Sequence, residues 1–173
     1  MNNKGFSIVE LMVAMAIGSF LLIGIAMSYT AIKSTVLSAQ SLANAQEVIR
    51  YTQQILSRSI KQAIRAPTIS ANALTIRIEQ NSFSPSCQGT VPTIAFDEVY
   101  TVSNNYLTCD IIDRSSGSSL GSANLLKGVQ ALTFSSSASG LLVDVTVIPE
   151  DVPTQFAGGI VISIAATQLI MVR

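Results

Sequence analysis

Leu11 to Ile32 is a run of 22 residues without a single charge, dominated by Leu, Ile, Val, Met, Ala and Phe and bounded by Glu10 and Lys33. A helix needs ~20 apolar residues to cross a bilayer at ~1.5 Å of rise each, so this run is long enough to span one. Beyond Lys33 the pattern becomes amphipathic. Val48/Ile49, Ile55/Leu56, Ile60 and Ala63/Ile64 recur at helical spacing, with Glu47, Arg50, Gln53, Gln54, Arg58, Lys61 and Arg65 between them. No Gly or Pro stands between Ile25 and Ala66. The two stretches are therefore expected to form one helix ending just before Pro67, about 90 Å from Phe6 to Arg65 at ~1.5 Å per residue. Its second half must stand outside the bilayer, with the Ile55/Ile60/Ile64 stripe packed on something.

After Pro67 the period changes from helical to alternating. In ALTIRIEQ, Leu74, Ile76 and Ile78 alternate with Thr75, Arg77 and Glu79. TIAFDEVYTV and YLTCDII flank Ser103-Asn104-Asn105, and the asparagines tolerate positive φ, which predicts a hairpin. RSSGSSLGSAN, Arg114 to Asn124, is expected as a flexible Ser/Gly connector. QALTF, LLVDVTVIP and GIVISIAATQLIMV follow as three more strands, with turns at SSSASG and EDVPTQFAGG. The expected fold class is α+β: one long amino-terminal helix packed on a carboxyl-terminal antiparallel sheet of about six strands.

Glu10 is the anomaly in this pattern. A carboxylate within an apolar span costs about 2.5–3.5 kcal/mol on insertion scales and marks a functional candidate. A secretory signal peptide matches less well, because its apolar core runs only ~7–15 residues before a small-residue cleavage site. A simple signal anchor, with Lys4 kept in the cytoplasm by the positive-inside tendency, explains the span and leaves Glu10 unexplained.

Lys4-Gly5-Phe6-Ser7-Ile8-Val9-Glu10 resembles the class III leader junction of type IV prepilins and pseudopilins. The resemblance covers Lys4 to about Ile32 and implies a type IV pilin-like fold. It implies that a prepilin peptidase of the inner membrane cuts between Gly5 and Phe6 and methylates the new amino terminus at Phe6. Glu10, then fifth in the mature chain, would meet the amino-terminal charge of a neighbouring subunit during assembly. Pairing a buried carboxylate with an ammonium only in the assembled state favours correct register over random clustering. The implied organisation is a leader at 1–5, a membrane and filament-core helix at 6–32, an amphipathic continuation at 33–66 and a periplasmic β-rich domain at 67–173. Many major pilins carry a proline in the span, absent here, so Gly18, followed by Ser19, is the weaker candidate for a melted segment.

A second resemblance covers Asn124 to Ile148, where NLLKGVQALTF and LLVDVTVI are similar to a segment of PilW-type minor pilins and J-type minor pseudopilins of type II secretion. It implies a minor subunit that primes a pilus and is placed near its tip, with a secretion pseudopilus as the alternative. The implied partners are the peptidase, other minor and major subunits, the inner-membrane assembly platform and the membrane itself.

Composition narrows the remaining choices. Lys plus Arg balance Asp plus Glu at 10 each, so no general nucleic-acid surface is indicated. Loss of the leader removes Lys4 and leaves 9 basic against 10 acidic side chains. With no His there is no Ser-His or Cys-His pair, and no phosphate-cradling glycine loop is present. No enzyme activity, cofactor or metal is therefore expected, although a membrane-anchored periplasmic enzyme or binding module is the rival class. Asp97-Glu98, Asp110-Asp113 and Glu150-Asp151 lack EF-hand spacing and are expected as solvated turn or strand-edge carboxylates. Cys87 and Cys109, an even pair without C-x-x-C spacing, are expected to form a disulfide in an oxidising compartment, worth about 3 kcal/mol in the chain-entropy model.

Overall fold

The computed structural model describes residues 7–137, 142–152 and 157–166. The chain divides into two units, Met1–Gln40 and Ser41–Arg173. They share helix α1 (Ile8–Gln62). Eight strands follow: β1 (Thr68–Ile69), β2 (Ile76–Gln80), β3 (Phe96–Ser103), β4 (Tyr106–Asp113), β5 (Ser119–Lys127), β6 (Val129–Ser136), β7 (Leu142–Pro149) and β8 (Ile160–Ala165).

In the first unit the described side chains of α1 are exposed, including Ile8, Met15, Phe20, Leu22 and Ile25. The helix is long and apolar enough to cross a membrane. Its Ser and Thr hydroxyls from Ser19 to Thr35 are satisfied internally. Ser19 Oγ donates to the Ala16 carbonyl at 2.8 Å, Ser28 to Gly24 at 2.9 Å, Thr30 to Met27 at 2.9 Å and Thr35 to Ala31 at 2.9 Å. Such back-bonding hides polar groups where water is absent. Helical geometry continues through Gly18, which shares the span with a second glycine, Gly24.

In the second unit, Ala45, Val48, Thr52, Leu56, Ser59 and Ile60 form the buried face of α1. They repeat every three or four residues, as one face of a helix requires. Two antiparallel sheets cover this face, in the orders β1-β2-β3-β4-β5 and β6-β7-β8. Val48, Leu56 and Ile60 join Ile76, Ile78, Tyr100, Leu107, Phe134, Val145 and Ile164 in one apolar core. The α+β class is therefore the observed one. Alternation in β2 buries Ile76, Ile78 and Gln80, and in β7 it buries Val143, Val145 and Val147. The Asn104-Asn105 hairpin forms as the alternation predicts, with φ of 51° and 62°.

Several expectations are corrected. The helix ends at Gln62, short of Ala66, because the Ile64 amide leaves the helical pattern and donates to the Glu79 carbonyl at the end of β2 at 3.0 Å. Of the Ile55/Ile60/Ile64 stripe, Ile60 is buried, Ile55 is half-buried and Ile64 is exposed. Among the described residues there are eight strands in two sheets where six in one were expected. Most of the expected connector is β5, because β4 supplies backbone partners from Ile112↔Ser119 to Tyr106↔Lys127. Composition alone does not reveal those partners. Parts of the expected turns, at 138–141 and 153–156, and the end of the last expected strand, at 167–173, lie outside the described residues.

Gly128, with φ of 91°, links the two sheets, and its amide donates to the Asn105 carbonyl at 2.9 Å. Gly159 opens β8 with φ of 80°, and a Cβ there would lie 2.8 Å from Ile148 Cγ1 and 2.9 Å from both Thr146 Cγ2 and the Val147 carbonyl oxygen. Gly159→Ala is therefore expected to destabilise the domain by about 1–3 kcal/mol through overpacking, with left-handed strain added. Gly117→Ala, at a similar φ of 70° but in open space, is the comparison and should lose clearly less. The denaturant midpoints of the two variants measure the difference.

Candidate functional site

Glu10 lies in the first turn of α1 and is exposed. The Leu11 amide donates to the Ser7 carbonyl at 3.1 Å, and the described chain is helical from Ile8, within the motif. A carboxylate in the first helical turn is favoured by the helix dipole. Among the described residues nothing pairs with Glu10, the four ion pairs all lying in the second unit. The proposed cleavage residues Gly5 and Phe6 lie outside the described residues.

A second polar assembly lies inside the domain, and sequence reading missed it. Asp97 and Glu98, expected as solvated carboxylates, are 6% and 1% exposed. The reason is the position of β3 at the centre of the five-stranded sheet, where Glu98 turns to the core face and Asp97, on the other face, lies under the Arg77 and Arg114 side chains. Asp97 points to one face and receives Arg77 Nε at 2.9 Å and Arg114 Nε at 3.0 Å. Arg114 Nη2 also donates to Asp97 at 2.9 Å and to the Phe96 carbonyl at 3.2 Å. Charge-assisted bonds of this kind compensate the desolvation of a carboxylate.

Glu98 faces α1. Its Oε2 accepts from the Ser59 hydroxyl, from Tyr100 OH at 3.1 Å and from Gln80 Nε2 at 3.5 Å, while its Oε1 accepts the Cys87 amide at 2.5 Å. Gln80 Nε2 is also 3.0 Å from the Ser59 carbonyl. Burial, and then the charge of Glu98, push the Tyr100 phenol well above its ordinary value, so the ring hydroxyl remains a donor at neutral pH. The donors come from α1, β2, β3 and the loop before β3, and together they fix the helix on the sheet. A disulfide joins Cys87 of that loop to Cys109 of β4, with Cα atoms 6.5 Å apart.

The other carboxylates are nearer to expectation. Asp113 closes the β4–β5 turn by accepting from Ser115 N at 2.8 Å, Ser115 Oγ at 2.7 Å and Ser116 Oγ at 2.7 Å, bonds that hold its carboxyl below the ordinary range. Asp110 accepts from Ser119 Oγ at 2.5 Å and Glu150 from Asn105 Nδ2 at 2.9 Å. Glu150 and Asp151 border an open groove of about 360 Å³ with Glu47 and Lys127. Among the described residues no group of three or more His, Cys, Asp or Glu is placed to hold a metal ion.

Comparison with known proteins bears on the amino terminus. No curated protein matches the chain. The family described as the prokaryotic N-terminal methylation motif matches residues 1–26, the segment that holds Gly5, Phe6, Glu10 and the start of the apolar helix, and this match indicates a type IV prepilin-like amino terminus, which fits anchoring by the apolar helix that follows.

Proposed function

We propose that the chain is a minor pilin, a structural subunit without enzymatic activity that helps start a type IV pilus and enters it at low copy near the tip. The observation that carries this reading is the methylation motif at residues 1–26 running directly into the exposed apolar surface of α1. In this reading the peptidase cuts between Gly5 and Phe6 and methylates Phe6. The inner membrane then holds residues 6–32, with the sheet domain in the periplasm, until the assembly platform passes the helix to other subunits. Periplasmic placement is supported by the Cys87–Cys109 disulfide, since such bonds persist in oxidising compartments. The low copy number is supported by the Asp/Ser-rich β4–β5 turn, which offers little continuous apolar surface for a repeating outer lattice. The second-resemblance segment spans the end of β5, the Gly128 link, β6 and β7, which suits a minor subunit of a pilus or of a secretion pseudopilus.

Intact-mass measurement of the chain from cells with and without the peptidase tests the reading. The expected result is loss of residues 1–5 and gain of a methyl group only when the peptidase is present. An unprocessed amino terminus in both strains would sink it, and finding the chain as the dominant component of sheared filaments would sink the minor-subunit role.

A further inference from the structure

Residues 81–95 connect β2 to β3 and bury little of their own apolar surface: Phe83, Val91 and Ile94 are all exposed. What holds the segment is polar and covalent. Arg58 Nη2 of α1 donates to the Ser86 carbonyl at 2.9 Å, and Gln88 Nε2 donates to the carbonyls of Cys109 at 3.2 Å and Gly121 at 2.8 Å. The tip folds on itself through Ser86 N to the Thr90 carbonyl at 2.8 Å and Gly89 N to the Ser86 carbonyl at 3.0 Å. At its centre Cys87 serves twice, its sulfur bonded to Cys109 and its amide donating to Glu98 Oε1.

That amide is the one donor to Oε1 among the described residues, since Ser59, Tyr100 and Gln80 all bind Oε2. If Cys87 moves away, half of a carboxylate that is 1% exposed loses its partner and must find water. A segment with few buried apolar contacts opens at low free energy unless something else restrains it.

We propose that the Cys87–Cys109 disulfide is a latch that keeps residues 81–95 closed over the buried Glu98 carboxylate, and that reducing it opens this segment alone while both sheets stay folded. In the reductive step a dithiol supplies two electrons and two protons. The S–S bond breaks, Cys87 and Cys109 become thiols, and the dithiol becomes a disulfide. A chain made in a reducing compartment would thus carry an open segment and a hydrated Glu98, and the helix-to-sheet contact at Ser59 would be completed only after oxidation. This inference stands independently of the pilin reading.

Hydrogen exchange on the full-length chain in detergent, oxidised and after dithiothreitol, tests the latch. Protection of the amides from Phe83 to Gly89 is expected to fall about 100-fold, the scale of the restraint a bridge of this loop length provides, while β7 amides keep theirs. In a double-mutant cycle, Glu98→Gln should shift the denaturant midpoint less than half as far in the C87A/C109A background as in the native one. Unchanged protection at Phe83 to Gly89 overturns the proposal. So does a loss extending to β7, failure of C87A/C109A to fold, or full additivity of the substitutions.

Discussion

Glu98→Ala is expected to destabilise the domain by several kcal/mol, a large share of the ~5–15 kcal/mol that holds a typical domain together. The substitution strands the Ser59 and Tyr100 hydroxyls and the Cys87 N–H around an empty site, while the Gln80 amide keeps its bond to the Ser59 carbonyl. Each buried group left unsatisfied costs about 1–3 kcal/mol, reduced here because Ser59 and Tyr100, 2.6 Å apart, can bond to each other. The vacated volume adds a cavity term. Glu98→Gln keeps an acceptor in place and should lose markedly less. Denaturant unfolding read by far-UV circular dichroism measures both, since the chain has no Trp to report on the core. If Glu98→Ala unfolds at the native midpoint, the cluster does not hold α1 to the sheet.

The second large effect is expected at Glu10. Glu10→Val should leave the amount of chain in the membrane unchanged or raised, because it removes an insertion cost of about 2.5–3.5 kcal/mol. On the assembly reading it should also reduce incorporation into filaments by roughly tenfold or more, because the pairing of a desolvated carboxylate with a neighbour's amino terminus is lost. The ratio of chain in sheared filaments to chain in the membrane fraction measures this. Equal ratios for the two proteins would leave the carboxylate without an assembly role.

What could be read from the chain and what could not divide along sequence distance. The apolar run from Leu11 to Ile32, the alternation in β2 and β7 and the Asn104-Asn105 hairpin depend on neighbours a few residues away, and each was legible. The burial of Glu98 depends on Ser59, 39 residues earlier, and that of Asp97 on Arg77 and Arg114, 20 and 17 residues to either side. Two adjacent acids therefore looked like a solvated pair. The Ser/Gly composition of β5 looked flexible for the same reason, its order being supplied by β4. One local signal was available: Asp97-Glu98 sits between Phe96 and Val99-Tyr100 in an otherwise strand-forming run, without the Gly, Pro or Asn that would mark a turn.

The back-bonded hydroxyls of the first unit bear on how this helix could meet another. Ser19, Ser28, Thr30, Ser34 and Thr35 each spend their proton on a carbonyl of their own helix. Between residues 11 and 32 the Tyr29 phenol is then the one exposed side chain with a polar group left to offer a neighbour, and two such helices brought side by side could slide or rotate with little change in energy. On the assembly reading, alignment would then be decided at one end, by a pin at Glu10 dropping into place, instead of by matched teeth along the whole length.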